Sequence, residues 1–498
     1  MTTVPVPTLD PKLSLAYIDG AFVEPRSKKT VPSYAPSTGQ VLIEAAGCEA
    51  ADVDEAVRSA RAAFERGDWS QASPAERKRV LLKLADLVER DAAELAALDA
   101  IDAGKPIDDC EGGDLPETIS TLRWYAEAAD KLFDRVAPTG PDVLATITRE
   151  PVGVVAAVLP WNFPLYIAVL KVAPALAAGN SIVVKPAEQA PLSTLRLAEL
   201  ATEAGLPVGC FNVVPGFGEQ AGRALGEHLD VDALTFTGST EVGRHFVRYS
   251  ANSNLKKVVL ECGGKSPQIV TDDASLDLDY VADQLAVAAF YNTGQNCTAG
   301  SRILVHESLR RPLVNALARA TATWPVGDPM DRSTRIGPLI ERSAVDRVAQ
   351  YVDAARAAGA GVVSGGGRAL AETGGWYFEP TILDNVKPDM PVAREEIFGP
   401  VVSVISYESE SEAIRIANDT TYGLAAAVYS RDLEVAHRLA RQIKAGTVSV
   451  NCYSEGDIGT PFGGYRQSGF GGRDMGLEAF DQYTELKTTW VNLNSPRI

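Results

Sequence analysis

The chain has 498 residues, 46% of them hydrophobic and 22% charged, with a net charge of −18 at pH 7. That length exceeds what one hydrophobic core usually serves, so two or more domains are expected, and the composition is that of a globular rather than a disordered chain. The negative balance argues against a nucleic-acid or anionic-membrane partner, either of which needs a concentrated basic face. No run approaches the ~18 continuous apolar residues of a membrane span, and "MTTVPVPTLDPKLSLAYIDG" lacks a basic start followed by an apolar stretch. Six cysteines without a CxxC pair and four scattered histidines disfavour a zinc site. A reduced, cytoplasmic, multi-domain protein is expected.

In chain order, residues 51 to 104 read as helices. The second opens on Ser73-Pro74 with Glu76, a cap followed by a first-turn proline and an early acid, and closes at Gly104. From residue 151 the apolar runs "PVGVVAAVLP", "NSIVVKP", "CFNVVPG" and "DALTFTG" each precede a helical stretch. That alternation predicts a parallel sheet with helices on both faces. Ligands of such sheets sit beyond the carboxyl ends of the strands. Pro160-Trp161-Asn162, Lys185, Pro215-Gly216 and Thr237-Gly238-Ser239 are therefore the positions to inspect. A second α/β unit runs from about 264 to 470, with strands at "SRILVH", "VVSVISY", "LAAAVYS" and "GTVSVN". Two more segments, "VLATITRE" and "YTELKTTWVNLN", alternate like isolated strands. Their spacing fits a local hairpin and a pairing arm between copies equally well.

Four places carry candidate chemistry. Cys297 sits in "YNTGQNCTAGS", a small and polar turn after a helix, although a lone cysteine is most often a packing residue. Glu261 ends an apolar strand before Gly263-Gly264, where a carboxylate suits a general base or is simply solvated. Asn162 lies between Trp161 and Phe163, as an oxyanion donor or a turn residue. "FTGSTEVG" (236–243) opens a helix whose N-terminus suits a phosphate, though the spacing is not G-x-G-x-x-G.

Together these stretches resemble the NAD(P)-dependent aldehyde dehydrogenase superfamily. The resemblance rests on "PWNFPL" (160–165), "KPAEQAP" (185–191), "GFG" (216–218), "FTGSTEVG", "LECGGKSP" (260–267), "GQNCTAG" (294–300), "EEIFGP" (395–400) and "PFGGYRQSG" (461–469), in family order. It implies an α/β aldehyde dehydrogenase fold: a Rossmann-like cofactor domain (1–130 and 152–263), an α/β catalytic domain (264–470) and a small β oligomerisation arm (131–151 and 480–498). A homodimer or homotetramer follows from the arm. The resemblance makes Cys297 the nucleophile, Asn162 with the Cys297 N–H the oxyanion site, and Glu261 the base that activates water. It implies NAD contacts from Lys185 and Glu188 at the adenine ribose, Ser239 at the pyrophosphate, and Glu396 and Phe398 at the nicotinamide end. Trp161, Gly218, Gly238 and Gly243 complete the set. Glu188 favours NAD, because a carboxylate repels a 2′-phosphate, and leaves NADP open as a second cofactor. Cys262 and Arg466 depart from the usual pattern, and Cys262 is expected to pack, pointing away from Glu261.

Longer stretches look most like the bacterial branch acting on γ-glutamyl-γ-aminobutyraldehyde and 4-guanidinobutyraldehyde. By that resemblance Asp114, Glu117, Glu455 and Asp457, with Trp124 and Phe163, border a channel suited to a cationic tail. The alternative is a broad-range aliphatic, aromatic or betaine aldehyde dehydrogenase.

Overall fold

A computed structural model describes residues 3–454 and 456–494, without the side chains of 275 and 276. The apolar runs form the strands of two large sheets. In the first, the strands Phe211–Val213, Ser181–Lys185, Val154–Val158, Ala233–Gly238 and Lys257–Cys262 lie parallel and adjacent in that order. Successive side chains of a strand face opposite ways. Val155, Ala157, Ile182 and Val184 therefore face a core built with the helices Pro74–Arg90, Leu115–Ala128, Pro164–Ala177 and Leu192–Ala204. Val154, Ala156 and Val183 face the opposite core, with the helices Ala50–Arg66 and Thr240–Ala251. Antiparallel strands cover both margins: Ala16–Ile18 and Ala21–Val23 on one side, Gly469–Phe470 on the other. The last of these was expected to belong to the second unit; it docks instead beside Leu260 and Glu261.

The second sheet runs Gly361–Ser364, Thr381–Asp384, Val401–Tyr407, Arg302–His306, Pro267–Val270, Ala425–Tyr429, Thr447–Val450, and only its first pair is antiparallel. Its two faces also feed separate cores, with Leu304 in one and Ile303 and Val305 in the other.

The expected single helix from Ser73 to Gly104 is two helices, Pro74–Arg90 and Ala92–Ala103. Ser73 caps the first, its Oγ accepting from Glu76 N at 3.2 Å. Asp91 breaks the run because its carboxylate is held by Arg90 (2.6 Å) and by Arg196 of a neighbouring helix (2.6 Å).

The strands Val143–Pro151 and Thr484–Asn492 pair with each other, antiparallel and in continuous register from Thr484↔Pro151 to Asn492↔Val143. Their sheet leaves Leu486 and Trp490 more than half exposed. No helix among the described residues is long and apolar enough to cross a membrane.

Candidate active site

Parallel register brings the strand ends together. Val158 pairs with Lys185 and Phe236, Thr237 pairs with Glu261, and Gly238 pairs with Cys262. Asn162 follows the Val158 strand end and Ser239 caps the helix after Gly238. The loop that carries Cys297 reaches this edge from the other sheet. The helix Leu278–Phe290 ends, the chain reverses through Asn292, Thr293 and Gly294, all at positive φ, and Cys297 follows. The loop rests on Gly264, where an added Cβ would lie 2.4 Å from the Cys297 carbonyl oxygen. That close approach is what the glycine is for.

Cys297 and Glu261 line two cavities at once. One, of about 290 Å³, runs along the strand ends past Trp161, Asn162, Ser239, Glu396 and Phe398. The other, of about 400 Å³, opens away from the first sheet past Asp114, Glu117, Phe163, Phe462 and Asp457. The two meet at the thiol and the carboxylate.

On the first side the strand-end residues face Trp161, Arg347, Glu396 and Phe398. The Glu396 carboxyl lies across Gly263, so close that a Cβ there would be 2.0 Å from its Oε2, and its Oε1 accepts from Gly264 N at 3.0 Å. Part of the Glu396 side chain reaches solvent, yet its carboxyl is enclosed, and burial pushes it up to about 7. Phe398 stacks edge-on to Trp161, centroids 5.4 Å apart. Its φ of 56° is a strained setting for an aromatic residue, of the kind that collects at functional sites. Lys185 donates from Nζ to Glu188 Oε2 at 2.8 Å, a pair set at the strand end beyond the cavity proper. Around Gly218 an added Cβ would meet nothing within 4 Å, so that stretch is open to a ligand.

Asn162 is buried, and its Nδ2 donates to Gln295 O at 3.0 Å. The Cys297 thiol lies 3.7 Å from Asn296 Oδ1, and Asn296 and Thr298 both reach the Tyr453 hydroxyl at 2.9 Å. Cys262 is buried in the opposite core, where burial pushes its thiol up to about 12. A thiol so rarely ionised is no competing nucleophile.

Three expected site residues have close protein neighbours. At Gly243 a Cβ would stand 3.1 Å from Leu260 and 3.2 Å from Cys262, so the glycine lets the helix pack on the strand. Asp114 lines the chamber while buried in an ion pair with Lys105 at 2.6 Å, which offsets its charge. Trp124 stands outside the chamber lining, stacked edge-on to Tyr125 and 3.8 Å from where a Gly459 Cβ would be. Glu455 lies outside the described residues. Glu117 and Asp457 are exposed side chains of the chamber wall.

Several participants carried no signal. Lys105 sits 3.6 Å over the Phe163 ring and 5.0 Å over Tyr291, behind the chamber wall. Lys171 and Asp474 form a second buried pair at 2.5 Å, and Asp474 lines the chamber. Neither lysine lies in a recognisable motif, and only the folded chain brings them to the wall.

Comparison with known proteins follows the same lines. The sequence model of the Aldehyde dehydrogenase family matches residues 22–489. The aminoacetaldehyde dehydrogenase of Pseudomonas aeruginosa is 52% identical, over 96% of this chain and 95% of its own length. The NADP/NAD-dependent aldehyde dehydrogenase PuuC of Escherichia coli is 47% identical, over 98% of each. Among solved structures, the gamma-glutamyl-gamma-aminobutyraldehyde dehydrogenase from Burkholderia cenocepacia superposes with a TM-score of 0.94 at 50% identity, covering 97% of both chains. The P. syringae indole-3-acetaldehyde dehydrogenase AldA, solved with NAD+, gives 0.95 at 49% identity, covering 96% of this chain and 97% of its own. With a thiol and a carboxylate shared between two cavities, and likeness running nearly end to end, the chain belongs to the aldehyde dehydrogenase family.

Proposed function

We propose that the chain oxidises cationic ω-aminoaldehydes or ω-guanidinoaldehydes to their carboxylic acids with NAD, through a covalent adduct on Cys297. The enzyme class and the NAD(P) cofactor follow from the family. The observation that carries the residue roles is the shared wall: Cys297 and Glu261 are lined by both cavities, so aldehyde and cofactor can reach them from opposite sides.

The residues of the narrower cavity fit a dinucleotide. The Lys185–Glu188 pair offers both a donor and an acceptor to a ribose diol. Ser239 caps a twelve-residue helix, whose N-terminus suits a pyrophosphate. Glu396, Phe398 and Trp161 enclose the end nearest the thiol. Glu188 disfavours a 2′-phosphate, though the E. coli relative's name allows both cofactors.

The Cys297 sulfur attacks the aldehyde carbon, and the carbonyl oxygen becomes an oxyanion held by Asn162 Nδ2 and the Cys297 N–H. Bound nicotinamide supplies the hydride acceptor. Loss of hydride from the carbon leaves a thioester on Cys297. Glu261 takes a proton from a water that attacks this thioester, releasing the acid and restoring the thiol.

The tail assignment draws on Glu117 and Asp457 in the chamber wall and on the names of the aminoacetaldehyde and gamma-glutamyl-gamma-aminobutyraldehyde relatives. With Asp114 offset by Lys105, the exposed acids bear the recognition. A broad-range reading also has support, from the aromatic wall of Phe163, Tyr166 and Phe462 and from the indole-3-acetaldehyde relative. NAD-dependent rates on ω-amino, ω-guanidino, γ-glutamylamino and neutral aldehydes separate the two. The cationic reading expects the amino or guanidino substrates to have the highest kcat/KM; equal values for neutral aldehydes of the same length refute it.

The three-part division and a homodimer or homotetramer belong to the same proposal. The Val143–Pro151 and Thr484–Asn492 sheet supports the arm, since it presents exposed apolar side chains and an unpaired edge. Relatives of bacterial origin support a cytoplasmic setting.

A further inference from the structure

The proposed oxyanion donor is itself held by a second amide. We infer that Asn292 is a positioning residue that sets the Asn162 amide against the nucleophile loop; the inference rests on the role proposed for Asn162 above.

The side-chain amide of Asn292 is buried and carries two N–H donors. It donates to Asn162 O at 2.8 Å and to Gln295 O at 3.2 Å. Asn162 Nδ2 donates to the same Gln295 carbonyl at 3.0 Å. The two amides thus converge on one carbonyl, two residues before Cys297, and Asn292 grips Asn162 from its main-chain side as well. One N–H of Asn162 is committed to Gln295, and the other has no acceptor among the described residues, in a cavity it shares with Cys297. The direction of that remaining N–H follows from where Gln295 O and Asn162 O are fixed.

The loop has little freedom to move away. Asn292, Thr293 and Gly294 are left-handed in succession, with φ of 50°, 59° and 67°. Thr293 Oγ1 accepts from Gly337 N at 3.0 Å, and Gln295 Oε1 accepts from Ile340 N at 3.0 Å. Asparagine is among the few residues with a side chain that enter the left-handed region readily. The backbone alone would accept glycine at 292, but glycine has no amide to tie Asn162 down. An oxyanion donor works only when it is aimed in advance at the place where charge develops. Asn292 provides that aim without touching substrate.

A double-mutant cycle with Asn162→Ala tests this. Asn292→Gly keeps the left-handed backbone and removes the amide; Asn292→Asp keeps the shape and the backbone tolerance and removes the donor. Removing an oxyanion donor outright costs about 100-fold or more in kcat, so Asn162→Ala is expected in that range and each Asn292 variant at about tenfold. KM for NAD should hold in both Asn292 variants; Tm should fall for Asn292→Asp, whose carboxylate would be buried against two carbonyl oxygens, so kcat is compared well below each variant's Tm. In the Asn162→Ala background, either Asn292 change should lower kcat less than about twofold, since the group it aims is gone. Losses that multiply in full would overturn the inference and make Asn292 a general prop of the loop. Parental kcat in both Asn292 variants would also overturn it. Parental kcat in Asn162→Ala would instead reject the oxyanion role itself, and the inference with it.

Discussion

On the narrower side of Cys297 the wall combines the strand-end residues Thr237, Gly238 and Glu261 with Trp161, Arg347, Glu396 and Phe398. On the tail side it consists of helical side chains and the loop around Asp457. The strand-end part of the first kind of wall is fixed by sheet register: once Thr237 pairs with Glu261 and Val158 with Lys185, Gly238, Ser239 and Asn162 have little choice of position. The second kind depends on which side chains a few helices and one exposed loop present, and it can change without disturbing either sheet. The difference teaches that the two walls are separable: the strand-end part of one follows from sheet register, and the other follows from the surface laid over it.

Perturbing the shared boundary should have the largest effect. Cys297→Ala should bind NAD and form no NADH with any aldehyde, while Glu261→Gln should give a first-turnover burst and then a steady rate lowered about 10²–10⁴-fold. Normal steady turnover in either variant would erase the boundary between the two walls. A change on the tail side alone should be smaller and selective. Asp457→Asn is expected to lower kcat/KM for ω-aminoaldehydes about tenfold, the scale of one charge-assisted contact, and to leave propanal unchanged. Equal losses on both substrates would show that the loop serves the chemistry after all.

The smallest effect concerns the cofactor wall without its ligand. Burial raises the Glu396 carboxyl from 4.5 to about 7, so between those values the native state holds a proton that the unfolded chain has released. Stability must therefore fall as pH rises through that window. Glu396→Gln should flatten the fall, so that the variant loses about 2–4 °C less in Tm than the parent between pH 5 and pH 8. Parallel Tm profiles would mean that the enclosure of this carboxyl carries no such cost.

The same contrast decides how much could be read from the residues. The β-branched runs were legible because each is local, and Asn162, Glu261 and Cys297 stood out by their strand-end or turn settings, whereas Glu396 came only through the family resemblance. Gly243 is ambiguous because a glycine one turn into a helix has the same spacing whether it admits a phosphate or lets Leu260 and Cys262 pack close. Asp114 lines the chamber, yet its ion pair carried no signal. Its partner Lys105 is nine residues away, across a helical turn whose widened geometry no periodicity announces. Trp124 lies two turns beyond Glu117 on the same helix, about 10 Å along its axis, and so passes the chamber by. Asn292 reads as a turn residue from its neighbours, and only the convergence on Gln295 O shows its second part.

The pairing of Val143–Pro151 with Thr484–Asn492 also imposes an order on synthesis. Roughly 330 residues separate the two strands, and chains emerge at about 5–20 residues per second, so the earlier strand waits on the order of 20–70 s for its partner. Most strands of both α/β sheets are made in that interval, while Val143–Pro151 has only the short strand Arg135–Val136 beside it. This three-stranded sheet is therefore the last to close.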